Sequence, residues 1–145
     1  MKLSTRVRFA LRIMMLIAAE SKVKPVFSRR VAALQGISEA YVDQILLPLR
    51  TGGLLISHRG RSGGYQLAKP ATEITVLDIV ETVEGPVNLV DCVDKPESCN
   101  RVADCVAHDV WANLTKTVRQ SLRQFTLEKL CADQRRKSHS GDYVI

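Results

Sequence analysis

The chain has 145 residues, of which 46% are hydrophobic and 25% charged, as in an ordinary globular protein. This length suits one cored domain with an appended element, and no stretch is apolar for long enough to span a bilayer. A secretory signal is not expected either, because Arg12 interrupts the first apolar run and no Ala-x-Ala site follows. We therefore expect a cytoplasmic protein without a membrane partner.

The net charge of +6 is unevenly distributed along the chain. Residues 1–70 carry twelve Lys and Arg against three acidic residues, whereas residues 71–145 carry nine against twelve. This distribution predicts a polyanion-binding amino half joined to a carboxyl half that senses a signal or assembles. A solvated basic surface without a partner is the alternative.

The amino half has the pattern of a helix-turn-helix. Apolar residues recur at three- and four-residue steps over 5–19, which predicts a first helix. Ser28 is a candidate N-cap for a short helix ending at Gly36, and Ser38 is a candidate N-cap for a third helix, from Glu39 to about Arg50. The short turn between these two helices predicts a helix-turn-helix.

A β-hairpin wing is predicted next. Residues 54–58 and 65–68 are strand candidates, separated by a glycine-rich loop that contains Arg59 and Arg61. A further short helix over 75–83 is expected to pack beneath the hairpin. The predicted fold is mainly α with a small β-hairpin, a winged helix-turn-helix in which residues 1–84 form the DNA-binding domain.

A long carboxyl-terminal helix carries an apolar stripe. The stripe follows three- and four-residue steps, close to a coiled-coil seam, through Trp111, Leu114, Val118, Ser121 or Leu122, and Phe125. We expect residues 109–132 to supply a dimerisation helix and a short following helix, because paired DNA half-sites need a symmetric dimer. Packing of the stripe on the protein's own head is the alternative, and residues 133–145 are expected to be a disordered tail.

The candidate DNA contacts lie in three places. In a helix-turn-helix the second helix enters the major groove, where Gln44 can pair with adenine and Asp43 can accept from cytosine. Arginines on a narrow wing can enter the minor groove, and those of the first helix suit phosphate. Tyr41 fits either a phosphate contact or a core aromatic. The full candidate set is Arg6, Arg8, Ser38, Tyr41, Asp43, Gln44, Arg59, Gly60 and Arg61.

Cys92, Cys99, Cys105 and His108 fall within seventeen positions, in a segment (85–108) that we interpret as a sensing loop. The first two lie in a polar stretch typical of a loop, and the last two are three apart, so that a helix would place them on one face. Thiolates with imidazole suit an iron–sulfur cluster or structural zinc. Disulfides and ordinary buried cysteines are the alternatives that need no metal.

Other classes of function have little support. No nucleophile or paired carboxylates stand at a recognisable catalytic spacing, so we expect neither an enzyme nor a small-molecule substrate. A small electron carrier would use the cysteine set, but it would not need a winged helix. Double-stranded promoter DNA is the expected partner.

Several of these segments together resemble the Rrf2 family of bacterial transcription regulators, over nearly the whole chain. They are Met1-Lys2-Leu3-Ser4-Thr5, Arg8-Phe9-Ala10-Leu11, Gly36-Ile37-Ser38, Tyr41, Gln44-Ile45-Leu46, Arg59-Gly60 and Gly63-Gly64-Tyr65-Gln66-Leu67. The cysteine and histidine set is most similar to that of the family's iron–sulfur regulators, which hold a [2Fe–2S] cluster with three cysteines and one histidine. The resemblance implies a homodimer whose cluster state changes its affinity for promoter DNA.

By the same resemblance, Cys92, Cys99, Cys105 and His108 would be the cluster ligands. It also implies DNA contacts for Ser38, Tyr41, Gln44 and Arg59, and Asp43 stands where those regulators carry a glutamate. The chain departs from the pattern at three places. Six residues separate Cys92 from Cys99 where five are usual, Arg61-Ser62 replaces a common Pro-Gly, and Cys131 lies outside the motif.

Overall fold

A computed structural model describes residues 2–140, which form seven α-helices and one two-stranded antiparallel sheet. Short 3-10 turns at Ala71–Glu73, Pro96–Ser98 and Val102–Asp104 connect some of these elements. The elements in chain order are α1 (Thr5–Glu20), α2 (Ser28–Gln35), α3 (Glu39–Thr51), β1 (Leu55–His58), β2 (Gly64–Leu67), α4 (Val76–Glu84), α5 (Asp91–Asp94), α6 (Val106–Gln124) and α7 (Leu127–Ser140). The mainly helical fold with a small hairpin is as predicted.

The main hydrophobic core is built around α1. Ile13, Met14 and Ile17 are fully buried there, because three- and four-residue steps keep one face of the helix turned inward. Side chains of α2, α3 and the hairpin complete this core, and so does Leu127 at the start of α7, which is also fully buried. The first and last helices of the described chain therefore share one core.

The helix-turn-helix forms as the sequence predicts, with one correction. Gly36 ends α2 in the left-handed conformation (φ 66°), which a residue without Cβ adopts at little cost. The Ser38 hydroxyl accepts from the backbone N–H of Tyr41 (3.2 Å) and so caps α3. The prediction of Ser28 as an N-cap is wrong. Phe27 occupies that position, and the Ser28 hydroxyl instead donates to the Glu39 carboxylate (3.0 Å).

The wing is attached to the segment that precedes α2. Val26 and Tyr65 exchange two backbone hydrogen bonds, of 2.9 and 2.8 Å. Gly64 allows this approach, because a Cβ at that position would lie 2.6 Å from the Val26 carbonyl carbon, and its φ is 119°. The hairpin is thus held at a fixed position beside the helix-turn-helix.

The carboxyl half surrounds a second, smaller core. Val76, Leu77 and Val80 of α4 are buried in it, and Val118 and Leu122 of α6 pack against it. The alternative for the α6 stripe was packing on the protein's own head. Val118 and Leu122 pack in this way.

The junction of α6 and α7 is tied back to the start of α4. The Val76 N–H donates to the Phe125 carbonyl (2.9 Å), and the Leu127 N–H donates to the Ile74 carbonyl (2.8 Å). These two bonds flank an isolated β-bridge between Thr75 and Thr126. The segment between α4 and α7 is therefore fixed at both ends.

Two expectations for the carboxyl terminus differ from the structure. The long helix begins at Val106, earlier than 109, and residues 133–140 continue α7 instead of forming a disordered tail. The same expectation for residues 141–145 lies outside the described residues. Within residues 2–140, no helix is both long and apolar enough to cross a membrane.

Candidate DNA-binding surface and sensing loop

The exposed face of α3 presents polar side chains beside its amino-terminal turn. Asp43 and Gln44 are exposed, as is Ser38 at the cap. The opposite face of α3 is buried in the core through Val42, Ile45 and other apolar residues. Their side chains are therefore accessible to base edges, as a recognition helix requires.

Arg6 has an intramolecular role that the sequence did not predict. It is half-buried, and its Nη2 donates to the backbone carbonyl of Gln44 (2.8 Å). Its Nε is buried without a hydrogen-bond partner among the described residues. Arg6 thus links α1 to the recognition helix, whereas Arg8 is exposed and donates to the Thr5 hydroxyl (2.9 Å).

Tyr41 is a core aromatic in this structure. Its ring meets that of Phe9 edge-on, with centroids 5.9 Å apart and planes at 87°, a favourable geometry for aromatic pairs. The half-buried ring contributes to the contact between α1 and α3. Of the two interpretations of Tyr41, packing is the one with a contact in the structure.

The wing tip carries Arg59, Gly60 and Arg61, all exposed. Arg61 also lines a cleft of about 310 Å³ between the wing and α2, together with Lys24 and Arg30. Arg30 is paired with Glu20 through two hydrogen bonds of 2.6 and 2.8 Å, and the bonds lower the pKa of the Glu20 carboxyl. The sequence did not identify Lys24 as a residue of this cleft, because its position beside the wing depends on the pairing of Val26 with Tyr65.

The predicted ligand residues lie in a series of short turns. Cys92 is in α5, Cys99 follows a 3-10 turn, and His108 is in the first turn of α6. Cys105 precedes α6 with extended angles (φ −98°, ψ 101°). The predictions that Cys92 lies in a loop and that Cys105 shares a helix face with His108 are therefore wrong in these local details.

The four donors are half-buried, whereas most residues between them are exposed. All three thiols are free, and the Nδ1 of His108 is buried without a hydrogen-bond partner among the described residues. A buried imidazole nitrogen without a partner is costly, and it is chemically suited to a metal. Together with three free thiols, it fits the donor set of an iron–sulfur cluster or zinc.

The structure does not gather these donors into one site. Within residues 2–140, no three His, Cys, Asp or Glu side chains stand close enough together to hold one metal ion. The donor chemistry therefore fits a cluster, whereas bringing the four donors together requires a rearrangement of the segment that carries them.

The start of the sensing loop is anchored to both neighbouring helices. The Val87 N–H donates to the Glu81 carboxylate of α4 (3.1 Å), and the Leu89 N–H donates to the Thr115 hydroxyl of α6 (3.3 Å). Arg119 of α6 forms an ion pair with the same Glu81 carboxylate. The loop, α4 and α6 thus share one hydrogen-bonded network.

An exposed recognition helix beside a basic wing, on a chain of net charge +6, defines a winged-helix DNA-binding transcription regulator. The family model described as "Rrf2: Iron-dependent Transcriptional regulator" matches residues 3–133. The chain belongs to the Rrf2 family. Its relatives are transcription regulators, a class without enzymatic activity, so the protein is a regulator and not an enzyme.

Three similar proteins illustrate the relationship. Protein rrf2 of Nitratidesulfovibrio vulgaris is 36% identical, covering 92% of this chain and 89% of that one. The HTH-type transcriptional regulator IscR of Serratia proteamaculans is 34% identical, covering 92% and 81%. The structure of CymR (YrzC), the global cysteine regulator of B. subtilis, superposes with a TM-score of 0.74 at 32% identity, covering 91% and 97%.

Proposed function

We propose that the protein is a homodimeric regulator of the bacterial cytoplasm whose affinity for promoter DNA depends on an iron–sulfur cluster, [2Fe–2S]. The carrying observation is the set of half-buried donors in an otherwise exposed segment, with the His108 Nδ1 lacking a partner among the described residues. Cys92, Cys99, Cys105 and His108 would hold the cluster. The similarity to IscR supports the same assignment.

These residues would suit a sensor, because thiolate and imidazole bonds to iron can be broken. A bound cluster would supply oxidisable iron and sulfide, with a potential raised by imidazole ligation. The three cysteines would bind as thiolates. His108 would bind through a neutral ring nitrogen.

The hydrogen-bonded network connects the sensing loop to helices that pack against the DNA-binding surface. Ordering of the turns between Cys92 and Cys105 acts on Val87 and Leu89, which are bonded to α4 and α6. Helix α4 packs against both α1 and the recognition helix. Two arrangements of the loop therefore give two positions of these helices, with different affinity for DNA.

We assign base reading to Asp43 and Gln44, and minor-groove contact to Arg59, Gly60 and Arg61. Their exposure on α3 and at the wing tip supports this assignment. Ser38 and Arg8 suit phosphate contacts, since both are exposed. Arg6 acts indirectly, by holding the backbone of α3.

The dimer would form through α6. Large apolar side chains remain exposed along this helix and at its end: Val106 (77%), Val110 (49%), Trp111 (40%), Leu114 (43%) and Phe125 (40%). A row of exposed apolar side chains on one helix marks an interaction surface, and a twofold axis would bury it against the same helix of a second copy. Such a dimer places two recognition helices on paired half-sites.

The test is the absorption spectrum, with iron, sulfide and zinc analysis, of protein purified without oxygen. We expect a coloured protein with near-equal iron and sulfide, whose colour is lost in Cys92→Ala and His108→Ala but kept in Cys131→Ala. Cys131 is the matched control because it lies on α7, outside the donor set. A colourless protein with one zinc, or with no metal, would refute the cluster.

A cluster-free, thiol-responsive regulator is the second candidate. It is favoured by the separation of the donors in the described structure and by the similarity to CymR; a zinc-stabilised protein is its metal-containing variant. Operator affinity of the metal-free protein, measured before and after mild thiol oxidation, distinguishes this candidate. A change that is abolished in the Cys92→Ala variant would establish it.

A further inference from the structure

A separate cleft lies between α1, the end of α2, and α7. Its volume is about 290 Å³, close to the lower end of the range for small-ligand sites, roughly 300–1,000 Å³. None of the sensing-loop donors and none of the proposed DNA contacts lines it. The cleft is therefore independent of the site and the DNA surface described above.

The floor of the cleft is apolar. Met15 and Leu16 of α1 are half-buried there, and Cys131 of α7 stands beside them. Burial raises the pKa of the Cys131 thiol, and its Sγ donates to the Met15 carbonyl (3.6 Å). Cys131 is thus a neutral part of an apolar wall that an apolar ligand can cover.

The edge of the cleft is cationic. Arg12 and Arg135 line it from α1 and α7, and no described lining residue is acidic. The Arg12 guanidinium lies 5.4 Å from the centre of the Phe9 ring. Two guanidinium groups at one edge favour a carboxylate, which accepts paired N–H bonds.

Gln35 supplies the third recognition element. It is the last residue of α2 and lines the cleft, and its Oε1 is buried without a hydrogen-bond partner among the described residues. A buried acceptor without a donor is unfavourable, and a ligand hydroxyl or N–H would satisfy it. Apolar floor, cationic edge and unpaired acceptor together define one kind of ligand.

We propose that this cleft binds a small organic acid with an apolar body and one hydrogen-bond donor. The carboxylate pairs with Arg12 and Arg135, the donor bonds to the Gln35 Oε1, and the body covers Met15, Leu16 and Cys131. The ligand joins α1, α2 and α7 without touching the sensing loop, so its binding does not require a metal or a cluster.

The experiment is a titration of the full chain with 4-hydroxyphenylacetate, which carries a carboxylate, an aromatic ring and a hydroxyl. We expect a Kd of about 1 mM or lower, measured by calorimetry, with amide shifts in two-dimensional NMR centred on α1, Gln35 and α7. Two matched probes separate the contributions. The neutral 4-hydroxyphenylacetamide and the hydroxyl-free phenylacetate should each bind about tenfold more weakly.

Variants locate the site. Arg12→Gln and Arg135→Gln should each weaken 4-hydroxyphenylacetate by about tenfold, and Gln35→Leu should abolish its preference over phenylacetate. Arg123→Gln is the matched control, since it removes the same charge from the exposed end of α6 and should change nothing. The two arginines lie on different helices, so one misfolded variant leaves the other informative.

The proposal is overturned if the acid does not bind, if the amide binds equally well, or if shifts fall outside α1, α2 and α7. Equal loss of affinity in Arg123→Gln would also overturn it, by showing a general charge effect. None of these results depends on iron or DNA, so they are distinct from failure of the proposed regulatory function.

Discussion

Arginines that look equivalent in the sequence differ in their surroundings. Arg6 is half-buried and bonded to the Gln44 carbonyl, whereas Arg59 is exposed at the wing tip. A guanidinium already engaged in the protein stabilises the head, and an exposed one is available to DNA. Loss of each should therefore have a different signature.

Arg59→Ala should weaken binding to a specific operator about tenfold or more, because a groove contact of this kind is worth roughly 1–3 kcal/mol. The melting temperature should not change. Fluorescence anisotropy over a range of salt concentrations measures the effect, and the salt slope should fall by about one. Arg6→Ala is the matched comparison and should lower the melting temperature too. Unchanged affinity in Arg59→Ala would remove the wing arginine from the interface.

The Cys131 thiol should react slowly in the folded protein. Burial raises its pKa, so at about pH 8 it holds less of the reactive thiolate than an exposed cysteine. We expect iodoacetamide to label Cys131 at least about tenfold more slowly in native protein than in urea-unfolded protein, as followed by peptide mass spectrometry. Equal rates in the two states would contradict the burial.

The raised pKa of Cys131 also sets the direction in which the free energy of unfolding changes with pH. The folded protein holds the Cys131 proton to higher pH than the unfolded chain does, so this contribution is lost as pH rises above the ordinary thiol value. The loss should be absent in Cys131→Ala. The free energy of unfolding, measured across this pH range for both proteins, would show it.

At the scale of elements, the attachment of the wing to Val26 depends on Gly64. A Cβ at Gly64 would lie 2.6 Å from the Val26 backbone, whereas a Cβ at Gly60 would meet nothing within 4 Å; both residues have positive φ. Gly60→Ala should therefore cost about 1 kcal/mol, and Gly64→Ala at least about 3 kcal/mol, because the backbone must also shift. Urea unfolding of the two variants compares them. Equal costs would mean that the wing is not held against Val26.

Elements set by local rules were predictable. The steps of Ile13 and Ile17 in α1, and the Ser38 cap of α3, depend on residues within one or two helical turns. The glycine-rich loop between two β-prone runs likewise predicts the hairpin. Residues that are close together in the sequence make nearly all of the interactions that determine these elements.

The sensing loop and α7 were predicted less well, because their conformation depends on distant residues. The short turns around Cys92 and Cys105 have no apolar period. The His108 Nδ1, which has no hydrogen-bond partner among the described residues, becomes buried only once α6 is packed. Residues 133–140 are polar and show no apolar stripe, yet they continue a helix whose first residue, Leu127, is buried in the main core. Tertiary packing of that residue overrides the local pattern.

At the scale of the whole molecule, the exposed stripe of α6 should hold two chains together. Leu114→Glu places a charge in the centre of this surface and should raise the dimer dissociation constant at least about a hundredfold. Sedimentation would then show a species near the 16.1 kDa of one chain at concentrations where the parent protein has twice that mass. Lys116→Glu, exposed on the same helix, is the control. A dimer that survives Leu114→Glu would place the interface elsewhere.

The chain leaves its main core after α4 and returns to it at Leu127, where the Thr75–Thr126 bridge closes the path. Residues 85–125 therefore form a segment that is attached to the rest of the protein at both ends. A segment with one free end can fold or unfold without affecting the domain to which it is attached, because the free end takes up the change in length. In this fold we expect a change in length or order between Cys92 and Cys105 to be taken up by movement of α4 or α6, because both ends of the segment are held.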